Sequence, residues 1–183
     1  MNIDTQLDGA SASVLRAAIR DVPDFPVPGV TFKDITPILA SGAHLRLAIE
    51  AMAAPYDASP PTHVVAIESR GFLFGAPLAV RWRVGLIPVR KTGKLPAATE
   101  REEYALEYGS SVLEIHRDAF SPGSRVLIVD DVLATGGTAV AAAALVERLG
   151  GVVDGFAFLL SLDFLGGSRR LGEPRAHAVV RYG

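Results

Sequence analysis

No cysteine occurs among the 183 residues, which excludes disulfides, thiolate nucleophiles and cysteine-ligated zinc or iron–sulfur centres together. An excess of one charge is also missing: 18 basic and 20 acidic side chains are interspersed, and the formal net charge is only −2. No field of that kind draws a whole surface onto nucleic acid or an acidic membrane, so any anion site has to be local. No apolar run reaches the roughly 18 residues of a membrane-spanning helix. The opening MNIDTQLDGASAS has no basic segment leading into an apolar one. The expectation is a cytoplasmic protein with neither nucleic acid nor membrane as partner.

What is present suits one globular domain spanning 1–183, with 49% apolar and 21% charged residues. Val14, Leu15, Ala18, Ile19 and Val22 recur at helical spacing after Ser13, which predicts a short helix over 13–22. A second helix is expected from His44 to Ala54, and others from Phe72 to Arg81 and Thr138 to Leu149. Between them, His63 to Ile67, Val84 to Val89, Val126 to Val129, Val152 to Leu160 and Ala178 to Tyr182 are apolar, β-branched runs without alternation, as in strands buried on both faces. Strands alternating with helices imply an α/β fold with a parallel sheet, whose ligands sit beyond the carboxyl ends of the strands. Lys91 to Tyr108 breaks the rhythm: it is polar and charged and reads as a long flexible loop or hairpin, with Tyr104 to Tyr108 and Val112 to His116 as its strands and a lid as its role.

The segment VLIVDDVLATGGT, residues 126–138, carries the chemistry. A buried strand leads into two acids, and Thr-Gly-Gly-Thr then opens an alanine-rich helix. Glycines let backbone N–H groups converge on an anion and the helix N-terminus adds a favourable dipole, so Ala134, Thr135, Gly136, Gly137 and Thr138 read as a phosphate cradle. Two adjacent carboxylates would repel a polyphosphate, so Asp130 and Asp131 should face a sugar diol or Mg²⁺. A phosphorylated ribose satisfies both halves. The bland alternative, a capped turn with a tight bend, explains an isolated acid pair better than it explains one set beside a cradle after a buried strand. No GxxxxGK[ST] occurs, because Gly93-Lys94 is followed by Leu95, and no GxGxxG opens a helix, which disfavours triphosphate hydrolysis and dinucleotide binding. His44, His63, His116 and His177 lie in separate segments without ligand spacing, which favours core or surface roles.

VLIVDDVLATGGT resembles the phosphoribosyl-diphosphate signature of the type I phosphoribosyltransferases, while ESRGFLFGAPLA, RKTGKLP and YALEYG resemble the adenine-accepting members of that family. The resemblance includes PGVTFKDITPIL and runs from about Phe25 to Tyr182, with Lys33 standing where other members have arginine. It implies a twisted five-stranded parallel sheet flanked by helices, a small N-terminal hood and a flexible catalytic loop. The implied reaction is adenine plus phosphoribosyl diphosphate giving AMP and diphosphate in purine salvage, by a homodimer using Mg²⁺. No direct protein ligand set for the metal is implied, which would be held mainly through the diphosphate and ribose.

Asp130 and Asp131 would bind the ribose hydroxyls and stabilise positive charge developing on the sugar. Arg70, Arg90, Lys91 and Lys94 would grip the diphosphate, whereas Arg81 and Arg83 read as surface ion-pair residues. By analogy Phe32 stacks on the purine beside Lys33, and Leu162 closes its other face. Apart from the resemblance, Phe32 and Leu162 would be core residues. Glu107 corresponds to the residue implied to handle the purine N7 proton, with Tyr108 beside it; alone it would be an ordinary solvated carboxylate. The alternatives are transfer to xanthine, hypoxanthine or guanine, and a non-catalytic regulator sensing phosphoribosyl diphosphate. The second would need a DNA-binding domain, for which the residues before Pro23 are too few.

Overall fold

The computed structural model describes residues 3–105, 110–171 and 176–183. Helix α1 (Ile3–Ala18) leads into a two-stranded antiparallel ribbon of β1 (Arg20–Val22) and β2 (Phe32–Asp34), which register as Arg20↔Asp34 and Val22↔Phe32. Helices α2 (Thr36–Ala40) and α3 (Gly42–Ala53) follow, the latter capped by the Ser41 hydroxyl accepting from the His44 N–H. Then come β3 (His63–Ile67), α4 (Gly71–Trp82), β4 (Gly85–Lys91), β5 (Thr99–Ala105), β6 (Ser110–His116), β7 (Arg125–Leu133), α5 (Gly137–Arg148), β8 (Val152–Leu162), α6 (Gly167–Arg170) and β9 (Ala176–Tyr182).

The main sheet has the order β5-β6-β4-β3-β7-β8-β9. Its β4-β3-β7-β8-β9 portion is parallel throughout, the expected five strands. The β5–β6 hairpin extends the edge antiparallel, making seven. The sequence lacks period-two alternation because both faces are covered. Val64, Leu127, Val129, Ala157 and Leu159 pack into one core with Leu15 of α1, Met52 of α3 and Phe74 of α4. Val65, Val126, Ile128, Phe156 and Phe158 pack into the other with Ala142, Leu145 and Val146 of α5.

Three expectations need correction. The first helix runs from Ile3 to Ala18 and shares only 13–18 with the predicted 13–22; it ends early because Arg20 to Val22 pair with β2 instead of continuing the helix. Asp130 and Asp131 lie inside β7, which runs to Leu133, and not in a loop beyond it. The stretch read as a long flexible loop or hairpin is a hairpin, but its first strand runs from Thr99 to Ala105 and so starts five residues before the predicted Tyr104. Three of its charges are paired: Arg101 Nε lies 2.8 Å from Glu114 Oε1, Arg117 Nε lies 2.8 Å from Glu100 Oε1, and Arg148 of α5 meets Glu102. Charge density that suggested a solvated loop therefore belongs to a hairpin laid over α5.

Candidate active site

Beyond the carboxyl ends of β3 and β7 lies a cavity of about 410 Å³, lined by residues that include Phe32, Lys33, Glu68, Arg70, Lys91, Tyr104, Asp130, Asp131, Ala134, Thr138 and Leu162. The chain brings these together because α4 sits hard on the sheet. A Cβ at Gly71 would come 2.7 Å from the Val129 carbonyl oxygen, so only glycine lets α4 begin there. That approach sets Arg70 against the β7 acids. Its Nε lies 2.9 Å from Asp131 Oδ2, and its guanidinium sits 5.5 Å from the centre of the Phe32 ring.

Asp131 is 3% exposed, and its Oδ2 has no aligned hydrogen bond despite the nearby arginine. Asp130 Oδ1 accepts the Asp131 N–H at 2.9 Å. Burial, and then the charge of Asp131, push the Asp130 carboxyl well above the usual carboxylate range. Burial also pushes Asp131 up, against the opposing pull of Arg70. A pair of carboxylates this uncomfortable when ionised is stabilised by an arriving hydroxyl or cation.

The cradle begins three residues on. Gly136 has φ +79°, and a Cβ there would sit 2.8 Å from the Gly167 carbonyl oxygen, so the turn into α5 requires glycine twice over. The first amides of α5, which lack intrahelical acceptors, thereby lie beside Thr138 at the cavity, an arrangement able to receive an anion. Residues 34–179 match the family model described as the phosphoribosyl transferase domain.

The chain belongs to the phosphoribosyltransferase family. It is 57% identical over 169 residues to the adenine phosphoribosyltransferase of Gloeobacter violaceus, covering 92% of this chain and 99% of that one. With its namesake from Myxococcus xanthus it shares 55% identity over 168 residues, 92% and 91% of the two chains. Among solved structures, adenine phosphoribosyltransferase from Rhodothermus marinus superposes with a TM-score of 0.90 at 52% identity, covering 95% and 99%. The Saccharomyces cerevisiae enzyme, complexed with an imino-altritol bisphosphate and adenine, gives 0.87 at 38%, covering 93% and 99%.

Within this phosphoribosyltransferase, several of the residues expected from sequence stand apart from the cavity wall. Arg90 Nε donates to Glu68 Oε2 at 3.1 Å and its Nη1 to the Lys94 carbonyl at 3.0 Å, so Arg90 is engaged in folding the 90–94 turn. Lys94 shares that turn, whose Gly93 N–H is held by Glu114 at 3.0 Å. Thr135, Gly136 and Gly137 lie between the two cradle residues that reach the wall, Ala134 and Thr138. Lys33 does reach the cavity wall, while its Nζ donates to Asp21 at 2.6 Å and lies 4.3 Å from the centre of the Tyr182 ring, which ties the β1–β2 ribbon to β9. Glu107 and Tyr108 lie outside the described residues.

Glu68 and Tyr104 are wall residues that sequence reasoning passed over. Partial desolvation tends to raise the Glu68 carboxyl, but hydrogen bonds from the Lys91 N–H and Arg90 outweigh it and hold the group below its usual range. Each sits inside a motif already singled out, ESRGF and YALEYG, and that adjacency was the available signal.

Proposed function

We propose that the chain transfers the 5-phosphoribosyl group of phosphoribosyl diphosphate to adenine, giving AMP and diphosphate. The observation that carries this reading is the buried Asp130–Asp131 pair at one end of a cavity that also holds an aromatic ring and a helix-N-terminal anion cradle. The names of the curated relatives support adenine as the acceptor.

In this reading Ala134 to Thr138 hold the 5′-phosphate through backbone N–H groups and the threonine hydroxyls. Asp130 and Asp131 accept hydrogen bonds from the ribose hydroxyls. As the bond from the sugar to diphosphate breaks and the bond to adenine nitrogen forms, their charge opposes the positive charge that builds on the ring, in a pocket where water screens little. Arg70 and Lys91 lie on the wall to meet the diphosphate, with Arg90 and Lys94 fixing the adjoining turn. Phe32 and Leu162 bracket the purine faces, and Glu107 takes the proton that adenine releases.

Mg²⁺ fits the donor set. Asp131 offers a buried oxygen without a hydrogen bond, and among the described residues no cluster of three or more His, Asp or Glu could hold a metal unaided. Such a set suits an ion that keeps waters and takes most of its coordination from phosphate and ribose oxygens. When bound, it would neutralise charge on the departing diphosphate.

The whole of 1–183 works as one such unit, in the cytoplasm and as a homodimer. The exposed Leu73 and Val80, two turns apart on α4, supply an apolar face for the second copy. Incubation with phosphoribosyl diphosphate, Mg²⁺ and each of adenine, hypoxanthine, guanine and xanthine tests the function. AMP formation with adenine dominating is expected, and a preference for another base overturns the assignment. Sedimentation at micromolar concentration decides the dimer.

A further inference from the structure

The 166–170 turn, in the sequence FLGGSRR, belongs to none of the motifs used so far, yet it touches the cradle from behind. A Cβ at Gly167 would come 2.1 Å from the Ala134 carbonyl oxygen and 3.0 Å from the Gly136 nitrogen. The contact is reciprocal, since a Cβ at Gly136 would meet the Gly167 carbonyl. Two backbones distant in sequence therefore pack with no side chain between them, and Gly167 is buried there. Arg170 adds a directed contact, its Nη1 donating to the Thr135 carbonyl at 3.3 Å.

These contacts bear on function through the geometry of the peptide group. A trans peptide is planar, and its N–H points opposite to its C=O. Turning the Ala134 carbonyl toward Gly167 turns the Thr135 N–H away from the 166–170 turn, and holding the Thr135 carbonyl on Arg170 turns the Gly136 N–H away from Arg170. We propose that Gly167 and Arg170 are positioning residues for anion recognition: by holding two cradle carbonyls from behind, they orient the amides that bind the 5′-phosphate. Arg170 also places a cation behind that anion. The inference rests on reading Ala134 to Thr138 as the 5′-phosphate cradle.

Ribose 5-phosphate binding measured by calorimetry, beside steady-state kinetics, tests it in Gly167→Ala, Arg170→Ala and Arg170→Lys. Gly167→Ala should weaken ribose 5-phosphate, and raise KM for phosphoribosyl diphosphate, by about tenfold or more, equivalent to about 1.4 kcal/mol. KM for adenine should stay within about twofold, because the base end of the cavity is untouched. Arg170→Ala should give a smaller effect of about three- to tenfold, the scale of one hydrogen bond, with Arg170→Lys recovering most of it because lysine can still donate to the carbonyl. A purely structural role would lower Tm and leave affinity alone, and that result overturns the proposal. Should Gly167→Ala not fold, the Arg170 pair decides, and wild-type affinity in Arg170→Ala refutes the brace. Thr138→Ala separates the layers. If it weakens ribose 5-phosphate while the turn variants do not, the brace alone falls; if it too leaves affinity unchanged, the cradle reading has failed.

Discussion

Replacing Asp131 by asparagine should separate what the acid pair does for catalysis from what it does to stability. The amide fills nearly the same volume in a site where Asp131 is 3% exposed, so the packing of β7 survives. The ion pair to Arg70 is lost, but that arginine side chain is 44% exposed, and such a pair contributes about 1 kcal/mol or less. Against that loss, one of two neighbouring buried like charges disappears. Net stability at neutral pH should thus change by no more than about 1 kcal/mol in urea unfolding. Catalysis should suffer far more. Losing a preorganised charge opposite the developing positive sugar should remove about 2–4 kcal/mol of transition-state stabilisation, or about 30- to 1000-fold in kcat/KM. The pH dependence has a defined sign. Both acids are raised in the fold, so the stability they contribute is full below the ordinary carboxylate value of 3.8 and is lost as pH rises through their folded values. Asp131→Asn removes one such group and eases the other, so its stability relative to wild type should improve as pH climbs from that point. Wild-type kcat/KM in the folded variant, or a stability difference moving the other way with pH, would refute the reasoning.

Gly137→Val, which sets a β-branched side chain at the first residue of α5, should abolish phosphoribosyl-diphosphate binding by calorimetry while a folded far-UV spectrum is retained. Glu107→Gln should bind both substrates nearly normally yet lower kcat, since the amide cannot exchange a proton with the base; an unchanged kcat with chemistry rate-limiting removes Glu107 from the mechanism. Amide exchange over 95–105 should slow when both substrates are bound, and equal protection in both states argues against a closing lid. Phe74→Ala should cost about 3–5 kcal/mol in urea unfolding, because that ring is fully buried between α4 and the sheet.

The α/β class, the parallel core and the position of the cavity beyond the strand ends were legible in the sequence because each rests on a local pattern. Continuous β-branched runs mark strands covered on both faces, and a strand running through Asp-Asp into Thr-Gly-Gly-Thr describes an anion-binding helix start within 13 residues. The hairpin's exact extent was not legible, since Thr99 to Ala105 has the composition of a solvated loop and becomes a strand only because Glu102 finds Arg148 and Arg101 finds Glu114. The same holds for the start of α1, where residues of weak periodicity precede the Leu15 contact with the core.

Composition and spacing therefore determined that an acid pair and a glycine-rich helix start follow one another, because both lie within a single short segment. Only the tertiary structure decided which cations reach the cavity. Arg70 and Lys91 line it, whereas Arg90 turns to Glu68 and the Lys94 carbonyl. Only the tertiary structure, likewise, set Gly167 and Arg170 behind the cradle, some 30 residues away along the chain. The physical reason is that a side chain's partner is fixed by the approach of separate backbones, such as α4 seated on β7 through Gly71, and no local pattern records that distance.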